Sequence, residues 1–224
     1  MQETGNNPTK ISVQIGLNGF SYTTDNCARS SWLSAEFVFN TDVFQKRYDK
    51  IELSCFTPKF CLVPSAYFSE EKARELLAES VSLEEGDEVG WRELESAGAV
   101  EIYSLPKSRL THIISGLMDK EGCEMEILPE LHYLLRDAYQ VEQYNKIAAS
   151  YTDGRLYLVI YQGKNLVLCS SYQAPDFTTA QYYIFLAIRK LQMNIEASAI
   201  YFRTPLQAEE ELSLYNYFKA VKSL

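Results

Sequence analysis

Residues 145–190 read NKIAASYTDGRLYLVIYQGKNLVLCSSYQAPDFTTAQYYIFLAIRK, and this stretch decides the fold. Leu156, Leu158 and Ile160 are spaced for a strand, and the two breaks in the stretch are Asp153-Gly154 and Gln162-Gly163-Lys164-Asn165. Both breaks are turn sequences, so three strands folded as a meander are predicted. Tyr157, Val159 and Tyr161 fill the alternate positions of the middle strand, which predicts a strand covered on both faces. Asp176 then stands where a helix N-cap belongs, and Phe177, Ala180, Ile184, Ala187, Ile188 and Leu191 form one helical stripe.

A second stretch, from Lys10 to about Lys50, has the same order. Ile11, Val13 and Ile15 alternate with polar residues, as in a half-buried strand, and Asn18-Gly19 predicts a type I′ turn with positive φ at both positions. A return strand at 20–24, a third at 32–39, a helix at 42–48 and a strand at 51–56 follow. The repetition predicts an α/β (α+β) fold of two similar halves, each a mixed β-sheet with helices. Between them lie a short apolar run at 59–63, a helix N-capped by Ser69, an acidic exposed loop at 81–90, paired strands around Gly98 and a helix marked by Leu110, Ile113, Ile114 and Leu117. A strand at 123–127 leads to a helix opened by Pro129, with Leu131, Leu134, Leu135 and Ala138 on its buried face. After the meander come a strand at 197–202 and a final helix over 207–221. The expected domains are a disordered leader at 1–9, a first half at 10–143 carrying an inserted subdomain at about 57–127, and a second half at 144–224.

The 224 residues carry a net charge of -9, with 46% hydrophobic and 23% charged residues. That balance argues for a globular chain and against a binder of nucleic acid or anionic membrane, which needs clustered Lys and Arg. Five cysteines are scattered without a C-x-x-C pair, and two histidines, His112 and His132, have no co-spaced ligands, so neither a disulfide framework nor a metal site is expected. No G-x-S-x-G elbow marks a hydrolase nucleophile. No apolar run reaches the roughly 20 residues of a membrane span, and a reducing cytoplasmic location is the simplest expectation. Tyr182, Tyr183, Tyr215 and Tyr217 offer either the rim of a core or an aromatic contact surface.

The order of elements resembles the actin-like ATPase fold, a ribonuclease H-like duplication shared by actin, sugar kinases and heat-shock chaperones. The resemblance is strongest to the pilus-assembly PilM and cell-division FtsA branch. A closer resemblance is to the Bacteroidetes domain-of-unknown-function family 3822. It rests on 11–15 (ISVQI) before Gly19-Phe20-Ser21, on 57–64 (TPKFCLVP), on 103–107 (YSLPK), and on the meander from Leu156 to Ser171 with its helix.

Relatives with that fold hold ATP between two hairpin turns, one per half, each with a nearby acid. The resemblance places cleft residues at Gln14, Gly16, Asn18 and Gly19 in the first half, and at Asp153, Gly154, Arg155, Arg203 and Thr204 in the second. Gln14 stands where the acid belongs, and a neutral amide supplies no charge to a magnesium shell. Ser150-Tyr151-Thr152-Asp153-Gly154-Arg155 replaces a Gly-rich phosphate loop, keeping only Gly154, and Arg203-Thr204-Pro205 replaces a Gly-Gly adenosine turn. These departures predict a pseudo-ATPase with no catalytic residue and no cofactor, serving as a binding or scaffold protein with a protein partner or as a homodimer. The alternative is a divergent ATP-binding enzyme or nucleotide switch using magnesium and Asp25, Asp153 or Asp176. In the cleft of the pseudo-ATPase, Arg155 or Arg203 would occupy the space of phosphate.

Overall fold

A computed structural model describes residues 10–17, 19–25, 27–34, 42–105 and 124–224. The sequence expectations for the leader at 1–9, for Asn18, for 35–39 of the third strand, and for the helix around Leu110–Leu117 with His112 lie outside these residues.

Strand β1 (Lys10–Ile15) pairs antiparallel with β2 (Gly19–Thr24) and parallel with β4 (Lys50–Cys55). Its central place buries both faces, so Ser12 and Gln14 are as covered as Ile11 and Val13, and the half-buried strand expected from the alternation is corrected. A short β3 (Leu33–Ser34) pairs with β2, and α1 (Asp42–Gln45) precedes β4, ending short of the expected 48. With β8 (Glu124–Pro129) the sheet order is β3-β2-β1-β4-β8.

The second sheet repeats that order. β9 (Asn145–Thr152), β10 (Arg155–Gln162) and β11 (Asn165–Gln173) form the expected meander, and β12 (Ala199–Phe202) runs parallel to β9. β13 (Ala220–Ser223) completes the order β11-β10-β9-β12-β13. Every residue from Leu156 to Tyr161 is buried, as the doubly apolar middle strand requires. Helix α3 (Glu130–Gln140) packs against β9 and β10, and α4 (Phe177–Lys190) against β10 and β11. Lys146 at the start of β9 donates to the Tyr139 carbonyl at 2.7 Å, placing a cation at the negative end of α3.

The final helix departs from the sequence reading. α5 (Ala208–Tyr215) stops at Asn216, and 220–223 becomes β13, parallel to β12. The Lys219 N–H donates to the Ser198 carbonyl and the Leu224 N–H to the Phe202 carbonyl. Pairing with the open edge of β12 thus satisfies backbone groups while still burying Phe218 and Val221, which a continued helix would also have buried.

A three-stranded sheet, β5 (Phe60–Pro64), β7 (Ala99–Ser104) and β6 (Val89–Leu94) in the order β5-β7-β6, carries α2 (Ala73–Ser80) on one face. Ser69 does not cap α2 with its side chain; a 3-10 turn over Glu70–Lys72 intervenes, closed by the Lys72 N–H on the Ser69 carbonyl. The acidic loop is exposed at Glu84, Glu85 and Glu88, whereas Asp87 is tied to Lys59 at 2.6 Å. By contacts, described residues within 1–56 and 106–128 form one unit, and those within 57–105 and 129–224 the other.

Candidate functional site

The carboxyl ends of parallel β9 and β12 lie side by side, the place where open α/β sheets present ligand-binding loops. The β9–β10 turn projects there with φ of 52° at Asp153 and 70° at Gly154, the left-handed pair that an Asp-Gly turn supplies. The Gly154 carbonyl accepts the Ala174 N–H at 2.8 Å. Arg155 follows in β10 and its Nη1 lies 3.5 Å from Ser171 Oγ.

Arg203, the first residue after β12, turns inward and is 1% exposed. Its Nε donates to Asp137 Oδ2 at 2.8 Å, and its Nη1 donates to Glu130 Oε2. Its guanidinium lies over the Tyr133 ring, 4.9 Å from the centroid. Glu130 also accepts from Ser150 Oγ at 2.6 Å, and Asp137 from Arg136 Nε at 2.9 Å. Two guanidinium groups thus meet two carboxylates in one network. Burial pushes the Asp137 carboxyl up, but the charges of Arg203 and Arg136 outweigh it and hold the group below the usual carboxylate range. The Thr204 hydroxyl accepts the Tyr151 N–H at 2.9 Å, which ties the β12 exit to β9.

In the other unit, Gln14 is fully buried within β1, and the turn after it closes through the Gly16 N–H on the Gly19 carbonyl at 2.9 Å. Gly19 already belongs to β2, and its need for glycine is steric: an added Cβ would lie 2.1 Å from the Leu33 carbonyl oxygen. Asp25 Oδ2 accepts the Lys10 N–H at 3.1 Å, and Asp176 Oδ1 accepts the Thr179 N–H at 2.7 Å as the expected cap of α4.

Glu130, Tyr133 and Asp137 were not singled out by sequence. Their spacing of three and seven along α3 puts them on one helix face beside the apolar stripe, which is the signal that could have marked them. A groove of about 90 Å³ adjoins the site, lined in part by Thr204, Pro205, Leu206, Glu211 and Lys222. Small-molecule pockets run to roughly 300–1,000 Å³, so this groove is smaller than that range. Among the described residues, no three His, Cys, Asp or Glu side chains converge as metal ligands.

A second buried titratable pair lies in the same unit as Arg203. Glu101 on β7 is fully buried and meets His132 Nδ1 at 3.0 Å. Burial raises the Glu101 carboxyl above its ordinary range, and the bond to His132 offsets only part of that. The folded state therefore holds a proton that the unfolded state has already released, and stability falls as pH rises above the ordinary Glu range of about 4.3. Glu101→Gln is expected to flatten this slope in urea unfolding measured across mildly acid to neutral pH. An unchanged slope would contradict the assignment.

The family model described as Protein of unknown function (DUF3822) matches residues 3–221. The chain belongs to this family. No curated protein matches its sequence. A Bacteroides thetaiotaomicron VPI-5482 protein with actin-like ATPase fold and unknown function is similar in structure, with a TM-score of 0.66 at 18% identity, covering 100% of this chain and 94% of that one. A chain of the PilM-PilN type IV pilus biogenesis complex gives a TM-score of 0.50 at 10% identity, covering 96% and 88%. The cytoplasmic domain of EpsL, an inner membrane component of the Vibrio cholerae type II secretion system, gives 0.47 at 11%, covering 88% and 82%. The fold is the actin-like one that the DUF3822 resemblance implied, and the repeated sheet order is its two-half signature.

Proposed function

We propose that this DUF3822 chain is a pseudo-ATPase: a cytoplasmic, non-catalytic actin-like protein that binds another protein as a scaffold and needs no nucleotide or metal. The observation that carries this reading is Arg203. At the strand ends where relatives of this fold bind ATP, its charge is neutralised by Glu130 and Asp137 of the same chain and is not presented to a phosphate. The PilM-PilN complex supports the partner half of the reading, since there a chain of similar fold is part of a protein assembly. Among the described residues no helix is long and apolar enough to cross a membrane. The net charge of -9 disfavours nucleic acid and anionic lipid.

The test is a thermal-shift titration of the full chain with ATP, ADP and GTP, with and without magnesium. A ligand at about one hundred times its Kd adds roughly 2.7 kcal/mol. For a chain of this size that raises Tm by about 5–10 °C. Millimolar nucleotide is expected to leave Tm unchanged. A magnesium-dependent rise lost in Asp153→Ala would overturn the proposal in favour of an ATP-binding enzyme or switch.

A further inference from the structure

Four of the seven large hydrophobic side chains exposed among the described residues sit on α4, α5 and the turn after α5: Tyr182, Leu212, Tyr215 and Tyr217. The two helices are packed on each other and run in the same direction. Gln181 Nε2 donates to Ser213 Oγ at 2.6 Å, and four residues further along both, the Phe185 and Tyr217 rings meet at 4.8 Å between centroids. A helix on a solvent face is expected to carry charge, yet α4 has none from Phe177 to Ile188, and Tyr182 in that span is 60% exposed.

The charges of this face are confined to its two ends. Glu209, Glu210 and Glu211 stand in the first turn of α5, and Arg189 and Lys190 in the last turn of α4, with exposed Lys219 beyond α5. Each set complements its helix dipole, and Glu210 is partly engaged in capping the Gln207 N–H. Because the helices are parallel, the consequence for the face as a whole is an acidic end, an uncharged aromatic middle and a basic end.

We infer that this face is a homodimer interface, occupied by the α4–α5 face of a second copy turned by a two-fold axis perpendicular to the helices. In that arrangement the acidic end of each copy lies over the basic end of the other, and the exposed tyrosines and Leu212 of both copies meet in the middle. An isologous contact needs a surface complementary to itself, and a face acidic at one end and basic at the other meets that condition only in the antiparallel sense. Tyrosine-rich, charge-poor centres are what interface cores favour. The inference is independent of whether any nucleotide binds.

Sedimentation velocity of the full chain, from low micromolar to several hundred micromolar, reads the result directly. Wild type is expected to shift to twice the monomer mass. Y182S/L212S, which alters only exposed side chains, is expected to weaken the dimer roughly tenfold or more. R189E/K190E and E209K/E211K are each expected to give monomer by setting like charges opposite one another, and combining all four is expected to restore the dimer, with circular dichroism melts confirming that each variant is folded. A wild-type chain that stays monomeric overturns the inference and leaves the face to a different protein. A dimer indifferent to these substitutions also overturns it.

Discussion

Arg203→Met is expected to cost roughly 3–5 kcal/mol of folding stability, the loss that follows when one partner of a buried ion pair is removed. Glu130 is fully buried and would keep only the Ser150 hydroxyl of the partners described above, while Asp137 would keep Arg136. In a chain of this length such a loss lowers Tm by about 6–20 °C. Arg203→Lys should recover part of it, because an ammonium keeps the charge but cannot present the planar fork that here reaches two carboxylates. Adding Glu130→Gln to Arg203→Met should recover more, since the uncompensated buried charge then disappears. Urea unfolding of the three variants measures this order. If Arg203→Met were as stable as wild type, the network would not be structural, and a phosphate-facing role for Arg203 would regain ground.

Gly19→Ala is expected to cost about 1–3 kcal/mol or more through overpacking. The new Cβ would collide with the Leu33 carbonyl oxygen, a backbone atom that cannot rotate away. Among the described residues β3 pairs with β2 through Gly19↔Ser34 and Phe20↔Leu33, so the strain should release by detaching it. Hydrogen exchange is then expected to show lost protection around Leu33 together with the fall in stability. Gly154→Ala is the control: its position has positive φ but no neighbour nearer than 3.7 Å, so it should cost about 1–2 kcal/mol for the left-handed conformation alone. A milder effect at Gly19 than at Gly154 would refute the steric account.

The two glycines look alike in sequence, one after Asn and one after Asp, and the turn rule assigns both to type I′ turns. The rule holds at Asp153-Gly154, where adjoining strands of eight residues each fix a two-residue connection. Gly19, by contrast, is a residue of β2 opposite Ser34, and the close approach of the Leu33 carbonyl oxygen is what selects glycine there. Likewise Leu214, Phe218 and Val221 fit a helical stripe, and all three are buried, but only one of them in a helix. Burial was legible there; the choice between helix and strand depended on an open edge of β12 that local sequence does not display.

Periodicity and turn chemistry in the sequence by itself determined the meander, the N-cap of α4, the doubly buried middle strand and the repeated order of elements. These are contacts between residues close along the chain, where side-chain spacing is the physical cause of the structure. The fate of Arg203 was decided only by tertiary structure, because its carboxylate partners lie 66 and 73 residues away on a helix whose charged face looks solvent-exposed in one dimension. Folding brings α3 against β9, buries Glu130 and Tyr133, and makes Arg203 the cation of a buried network.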